Sequence, residues 1–566
     1  MARLSPRRAA LQQGGRRNVP GLRQRPRPMG LHNPSNLPYD GADYFSQHTQ
    51  QWFPSLWSGD TTIGPFQRDT LVARIRDLVR NDGWASGAVT RVLDSAVGVS
   101  LRPVSKPDHR WLRHVSGNSR FDASWAAEFG SFVDAHWRNW ADDPARHNDT
   151  ERQLTFSQQM HLAMRHLLTD GDCLAILPWM EDRVSLGRGR YATTVQIVDT
   201  DRLSNPNSMY DLDNIRNGVE IDMRTGSPVA YHIREAHQAD WFQAGRSVTW
   251  RRFPKEDEYG TPLVVHHFER HQAGQHRGGA GIFAPVITRM KMLARYDTAE
   301  LDAAIVNAVF AAFIETPYDP AYTAEALGAP NASTAFGDSP AGWGAWDERV
   351  AYNEGRNLSL QGSRIPMLSP GEKITAVDSV RPSSSFEAFE KTVLRNVASA
   401  TGLSPMQVSN DWSDVNYSSA RGALLEAWKT TDRRRMDFCT GFAAPIRLAW
   451  LEECMESDSP PLPSGSVPHF LEARHAYGRA KWLGPGRGWI DPTKEREGSL
   501  IGIQAGLSTL EDEAAANEGR NWEDVLDQRA VEKAAFEKAG LTLPGDLRAD
   551  IPSGSEDSEN AGDSNA

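Results

Sequence analysis

Residues 277–316 read RGGAGIFAPVITRMKMLARYDTAELDAAIVNAVFAAFIET: a glycine-rich turn, then a long run with neither glycine nor proline. The run predicts one helix of roughly thirty residues, against the ~11–12 of an average helix. Ile287, Met290, Ala294, Leu301, Ile305, Ala308, Val309 and Ala312 recur mostly at three- and four-residue steps, which prepares one face for packing. At the usual rise the rod measures roughly 45 Å, too long to be covered by one domain of this size. Alanines at 299, 303, 304, 308, 311 and 312 allow neighbouring backbones to approach closely, as identical rods side by side in a ring would require. A helix crossing its own subunit's core is the other reading of the same pattern.

Upstream of the rod, VEIDMRTGSPVAYHIRE at 219–235 alternates apolar and polar residues on both sides of Thr225-Gly226-Ser227-Pro228, the pattern of a hairpin with one wet face. With TTVQIVDTDRL before it and PLVVHHFER after it, residues 150–272 predict an α+β domain with an antiparallel sheet. Earlier, 66–97 gives two helices broken at Asn81-Asp82-Gly83, 121–141 a Trp-rich helix, and the segment from Thr155 a helix, an Asp170-Gly171-Asp172 turn and a buried strand. Downstream, 317–345 is rich in Pro, Gly, Ala and Ser. Helices return at SSFEAFEKTVLRNVASATG, with a Ser cap and a stop at Gly402, and at NYSSARGALLEAWKTTDRRRMDF, capped at Ser418-Ser419. Further helices, each closed by glycine, reach about 540, and no internal repeat occurs.

At 566 residues the chain exceeds one compact core, and 39% hydrophobic content with 18 Trp argues for a folded protein. Its net charge of −11 conceals a basic start: residues 1–28 hold eight Arg and no acid, whereas 546–566 are polar and acidic. Both ends are expected to be mobile. The arm reads equally as a contact for nucleic acid or an acidic partner and as a solvated tail. No run of 18 apolar residues occurs, so no membrane span is expected. Cys173, Cys439 and Cys454 are too scattered for a disulfide framework or thiolate metal site and fit buried thiols in a reducing compartment.

Catalytic signatures are missing. There is no G-x-x-x-x-G-K-[ST] loop, and GPGRG at 484–488 lacks its lysine; no G-x-S-x-G elbow and no H-E-x-x-H occur. His266, His267, His271 and His276 suggest a metal reading, but the H-E-x-x-H pattern is absent and the stretch reads as a strand running into a loop. DLDNIRNG at 211–218 has Ile215 where a calcium loop needs its third oxygen ligand, and reads as a turn. No catalytic residue, cofactor or metal is expected.

Five segments in order resemble the lambda-type family of tailed-phage portal proteins: DLVRNDGWASGAV, the RGGAGIFAPV…YDTAELDAA entry to the rod, MLSPGEKI at 367–374, GLSPMQVSNDWSDVNYSSARGALLEAW at 402–428 and WIDPTKE at 489–495. The resemblance spans about 40–540. It implies an α+β portal fold with wing, long-helix stem, clip and helical crown, closed into a ring, usually of twelve subunits, at one procapsid vertex. DNA is pumped through such a ring, so double-stranded DNA, the terminase packaging motor, major capsid and scaffold proteins and head–tail completion proteins are the implied partners. The implied divisions are an Arg-rich arm at 1–45, a wing at 46–282, a stem helix at 283–314, a clip at 315–366 and a return stem with tunnel loop at 367–386. Wing helices at 387–450, a C-terminal helical wing or crown at 451–545 and an acidic tail at 546–566 complete the chain. Arg381, Ser383, Ser384 and Ser385 are the candidate DNA-facing tunnel loop, or an ordinary helix cap. Leu301, Ile305, Ala308, Val309 and Ala312 are the candidate subunit-packing face. Other readings are a head–tail adaptor of smaller size, which would not need so long a rod, and a packaging-associated nuclease or protease, which would need the acids or nucleophile that are missing.

Overall fold

Helix-forming and strand-forming stretches follow the apolar periodicities closely in the computed structural model, which describes residues 51–99, 101–309, 386–413, 416–489 and 491–541. Helices α1 (Pro65–Asn81) and α2 (Gly83–Ala96) form the expected hairpin, with the Asp82 side chain accepting from the Ala85 amide to cap α2. Strand β1 (Arg102–Ser105) leads through α3 (His109–Ser116) to α4 (Ala123–Ala141), the Trp-rich helix. Helix α5 (Phe156–Asp170) starts in a Thr155/Gln158 capping box and ends at Gly171, whose φ of 86° is left-handed, before the fully buried strand β2 (Asp172–Ile176).

Two antiparallel sheets follow. One has the order β3-β2-β8, with β3 at Gln196–Val198 and β8 at Val264–Phe268; the other is β4 (Ile215–Arg216), β5 (Val219–Ile221), β6 (Pro228–Arg234) and β7 (Trp250–Pro254) in sequence order. The predicted hairpin is β5–β6, but a register shift between Glu220 and Ile221 breaks the simple alternation. Val219, Tyr231 and Ile233 are buried while Val229 and Met223 face solvent.

The long helix, α6, runs from Ile287 to Val309 in the described residues. It starts at Ile287 rather than 283, because Phe283–Val286 form a turn whose Phe283 carbonyl accepts from the amides of Val286 (2.9 Å) and Ile287 (2.8 Å). Helices α7 (Phe386–Thr401), α8 (Tyr417–Phe438), α9 (Ala444–Ser457) and α10 (Phe470–Tyr477) come next. Asn416, not Ser418 or Ser419, caps α8, accepting from the Ser419 amide at 2.9 Å. Strand β9 (Ala480–Leu483) returns to pair antiparallel with β1, Arg102 opposite Leu483. Helices α11 (Pro492–Gln504) and α12 (Trp522–Ala539) close the described chain.

The main core gathers one face each of α1, α2, α4, α5, α7, α9 and α10 around Trp137, Trp140, Phe156 and Trp450. Trp450, fully buried, has ring centroids 5.0 Å from Trp137, 6.0 Å from Trp140 and 5.4 Å from Tyr191. Its neighbour Glu453 accepts from the amides of Ala192 (2.6 Å) and Thr193 (2.8 Å), tying α9 to the loop before β3. The three cysteines are free and buried, as expected. Trp450→Ala should cost about 3–5 kcal/mol of subunit stability in urea unfolding and Trp450→Phe clearly less, since the cost tracks the volume removed.

Candidate functional site: the long helix and the charged cluster at its root

The glycines of the opening motif are explained by where the chain must pass. Residues 278–281 cross the C-terminal end of α5 at backbone contact: a Cβ on Gly278 would overlap the Gly171 carbonyl oxygen, and one on Gly281 the Thr169 carbonyl oxygen. The Ile282 amide then donates to Leu168 O at 2.9 Å, so the chain is fixed to α5 immediately before α6 begins.

Beneath this crossing lies a buried ionic cluster. Asp172, the first residue of β2, accepts from Arg68 Nη2 at 2.6 Å on one oxygen and from Arg277 Nε at 2.6 Å on the other, with His266 Nε2 at 3.2 Å. Arg68 Nε reaches Gly278 O at 3.1 Å, and Arg277 donates to the carbonyls of Asn217 (2.6 Å), Leu203 and Thr200. Two guanidiniums thus lie out of water around one carboxylate, with backbone carbonyls and the Thr200 hydroxyl accepting from them and Asp69 3.8 Å from Arg68 Nη1. Next to it, Asp170 takes a bidentate pair from Arg76 (2.9 and 2.6 Å) and bonds to His166 Nδ1 (2.7 Å) and the Thr200 hydroxyl (3.0 Å). Arg76 also reaches Asp201 at 3.2 Å, itself held by His237 at 2.6 Å.

Burial alone would raise the Asp172 carboxyl, but Arg68, Arg277 and His266 outweigh it and hold it well below the usual carboxylate range. Asp170 is likewise depressed against its burial, by His166 and Arg76. Burial, reinforced by Arg68, lowers Arg277 to about 10, and burial keeps His266 below its ordinary value. α1, the α5–β2 turn, β8, the 200–217 loops and the root of α6 are therefore joined by one set of charges.

From this root, Phe283, Val286 and Met290 are buried in the main core, Leu293 is buried beyond them, and Tyr296 packs edge-on against Phe389 of α7 at 5.3 Å and tilted against Phe386 at 5.4 Å. Further along, Leu301 and Ile305 are 64% and 52% exposed. Leu301 follows Met290 by eleven residues, about three turns, so it lies on nearly the same face. Asp297 interrupts the apolar stripe between them, and burial within the subunit reaches as far as Glu300. Ala308 and Val309 fall within α6. Ala312 lies outside the described residues, as do Arg381, Ser383, Ser384 and Ser385, the arm at 1–45, the clip at 315–366, nearly all of 367–386 and the tail at 546–566.

The four tempting histidines do not converge. His266 bonds Asp172, His267 lies 3.3 Å from Asp437 and His276 2.7 Å from Asp60. The donor groupings among the described residues are His136/Cys454/Asp458 and Asp199/Asp201/His237; Asp458 of the first is engaged by Arg190 and Tyr191, and Asp201 of the second by Arg76 and His237. Asp211, read as part of a turn, accepts from the Asn217 amide and Asn205 Nδ2 at 2.8 Å each. No helix of the described residues is long and apolar enough to cross a membrane.

The described residues thus form an α+β body from which a helix departs with Leu301 and Ile305 exposed. Residues 45–435 match the family described as "Phage portal protein, lambda family". The chain is 32% identical over 508 residues to the portal protein of Escherichia phage N15, covering 89% of this chain and 91% of that one. It is 31% identical over 517 residues to portal protein B of Escherichia phage lambda, covering 91% and 93%. Among solved structures, a chain from the neck of an empty GTA particle is similar over 78% of this chain and 92% of its own, at 12% identity and a TM-score of 0.32. The chain belongs to the lambda family of phage portal proteins, a structural rather than an enzymatic family.

Asp172→Asn removes the buried carboxylate bonded to both guanidiniums, leaving Arg68 only the partly exposed Asp69 at 3.8 Å, and should cost about 3–5 kcal/mol in chemical unfolding. The acid side carries a signature. Asp170 and Asp172 have depressed folded values, so their contribution is complete above the unfolded carboxylate value of about 3.9 and is lost as pH falls through the folded values. Stability of the parent chain should therefore fall steeply below about pH 4, and Asp172→Asn should flatten that fall.

Proposed function

We propose that this portal chain closes into a ring, a dodecamer, at one vertex of the procapsid, with α6 as a stave of the wall around a DNA channel. The reading rests on one observation: α6 is buried against its own subunit at Met290, Leu293 and Glu300 but presents Leu301 and Ile305 to solvent. Copies arranged around an axis would cover that face, and cyclic closure repeats the cover for every subunit. In this assignment the wing is the body at 46–282 together with the helices at 387–450, the stem begins in 283–314, the clip occupies 315–366, the return stem and tunnel loop 367–386, and the crown side 451–545. Leu500, Ile501, Leu526 and Val531, exposed on α11 and α12, are further surface for neighbours on that side.

The channel would carry double-stranded DNA during packaging and ejection. Lasting Lys or Arg contacts to phosphate would resist movement, and an overall charge of −11 suits a wall that confines without holding. Arg381 with Ser383, Ser384 and Ser385 is the proposed reversible touch point. Terminase, the capsid and scaffold proteins and the head–tail completion proteins would meet the ring's outer surfaces, and the protein would stand in the virion at the portal vertex after assembly in the host cytoplasm.

Twelve chains of 62.8 kDa would give a particle of about 750 kDa with a central hole, visible by light scattering and negative-stain microscopy. Ile305→Arg should abolish that particle while leaving a folded subunit, because position 305 is solvent-exposed in the lone chain and a charge there becomes buried only on assembly. Rings of normal size from Ile305→Arg would contradict the stave assignment.

A further inference from the structure

We infer that residues 491–541 form a charge-latched arm, a C-terminal unit that docks on the body through ion pairs and a backbone seat and lifts off it, with the body intact, when those pairs are screened. No apolar side chain of these residues is buried, and none belongs to either core or packs against one. Leu500, Ile501, Leu507 and Leu526 are more than half exposed, and Trp522, the first residue of α12, is half-buried. The apolar burial that fixes the helices of the body is therefore nearly missing here, which places the arm at the low-stability end of the molecule.

One sign of charge facing the other takes its place. The body contributes Arg102 on β1, Lys106 just after it, Arg138 on α4 and Lys481 on β9, and the arm answers with Glu511, Asp512, Glu523 and Asp524. Arg138 Nη2 bonds Asp524 at 2.7 Å, with Arg102 3.7 Å from the same carboxylate. Lys106 lies 3.3 Å from Glu511 and 3.9 Å from Glu523, and Lys481 3.1 Å from Asp512 and 3.5 Å from Glu511. Arg421 of α8 adds a contact at 3.6 Å to Glu495 of α11. Apart from Glu495, all of these side chains are about a third or more exposed. Exposed pairs are weak one by one and are screened by salt, so a latch made of several is strong enough to dock the arm and weak enough to let it go.

The seat is GPGRG at 484–488, the glycine-rich stretch without a phosphate-loop lysine. A Cβ on Gly486 would overlap the Asn517 carbonyl oxygen, and one on Gly519 the Gly484 carbonyl oxygen, so glycines let the two backbones touch. The Arg487 amide donates to Ala516 O at 2.9 Å and the Gly488 amide to Asn517 O at 3.3 Å. The Trp489 indole donates to Glu518 at 3.0 Å. The body holds the seat from the other side, where Arg435 donates to Pro485 O at 3.3 Å and Arg487 to Asp432 at 3.1 Å. Within the arm, Glu513 accepts from Ser499 of α11 at 2.7 Å and from Asn517 at 2.8 Å, which ties α11 to the turn that meets the seat.

The test is hydrogen exchange read by mass spectrometry on the full-length chain at about 0.1 and 1 M NaCl, over which the Debye length falls from ~10 to ~3 Å. Light scattering confirms the same particle size at both salts. Peptides covering 484–489, which contain the two amides bonded to the arm, should exchange roughly tenfold faster at high salt, while α5 and β2 stay protected. Docking by apolar contact would give the opposite or no change. Asp524→Arg should bring the fast exchange to low salt, and adding Arg138→Asp should return it toward the parent rate, since the pair is then restored with its signs exchanged. Exchange at 484–489 that ignores salt, a double variant no slower than Asp524→Arg alone, or loss of protection in α5 and β2 together with the seat each overturns the latch.

Discussion

The pairing of Asp172 with two buried arginines is the constraint on which the rest of the subunit depends. Arg68 comes from α1, Asp172 from the start of β2 and Arg277 from the approach to α6, so three distant parts of the chain meet at one carboxylate. Neither arginine could be buried there alone, and the carboxylate could not be buried without them. The backbone crossing of 278–281 over the end of α5 is held in register by the same charges, through Arg68 and the Gly278 carbonyl. A long helix amplifies any error at its base, and this base is bonded on several sides.

The body therefore behaves as a mount. Its core is closed by the Trp137–Trp140–Trp450 aromatic cluster and by the β1–β9 pair, which joins residues near 103 to residues near 482. Arg435 adds a clasp between α8 and α2, donating to the Ala96 carbonyl at 2.8 Å and the Ser95 carbonyl at 2.6 Å. What the body does not cover is the outer part of α6. In the ring proposed above, folding is local to the subunit and the exposed turns of α6 are left for neighbouring copies to bury.

Much of this was legible in the sequence because it is periodic or punctuated: the α1–α2 break at Asp82, the α5–turn–β2 unit, the hairpin around Gly226 and the rod itself. Caps were less so, since Asn416 and Ser418-Ser419 compete within three residues and only geometry selects the asparagine. The start of α6 was displaced for a similar reason, as Phe283 and Val286 fit the helical stripe while sitting in the turn before it. The ionic cluster was hidden altogether. Arg68, Asp170, Asp172 and Arg277 look like surface residues in a chain that is 24% charged, and nothing local signals that they converge. The one faint hint was RGGAG, where glycines beside an arginine mark a close backbone approach.

The central claim is that the outer turns of α6 are sheltered by neighbouring copies. The most direct measurement is the rate at which a maleimide reacts with the thiol of an Ile305→Cys chain, compared between dissociated subunits and the assembled particle. Rapid labelling of the subunit, where position 305 is open, and labelling slowed at least tenfold on assembly are expected. Equal rates in the two states would contradict it.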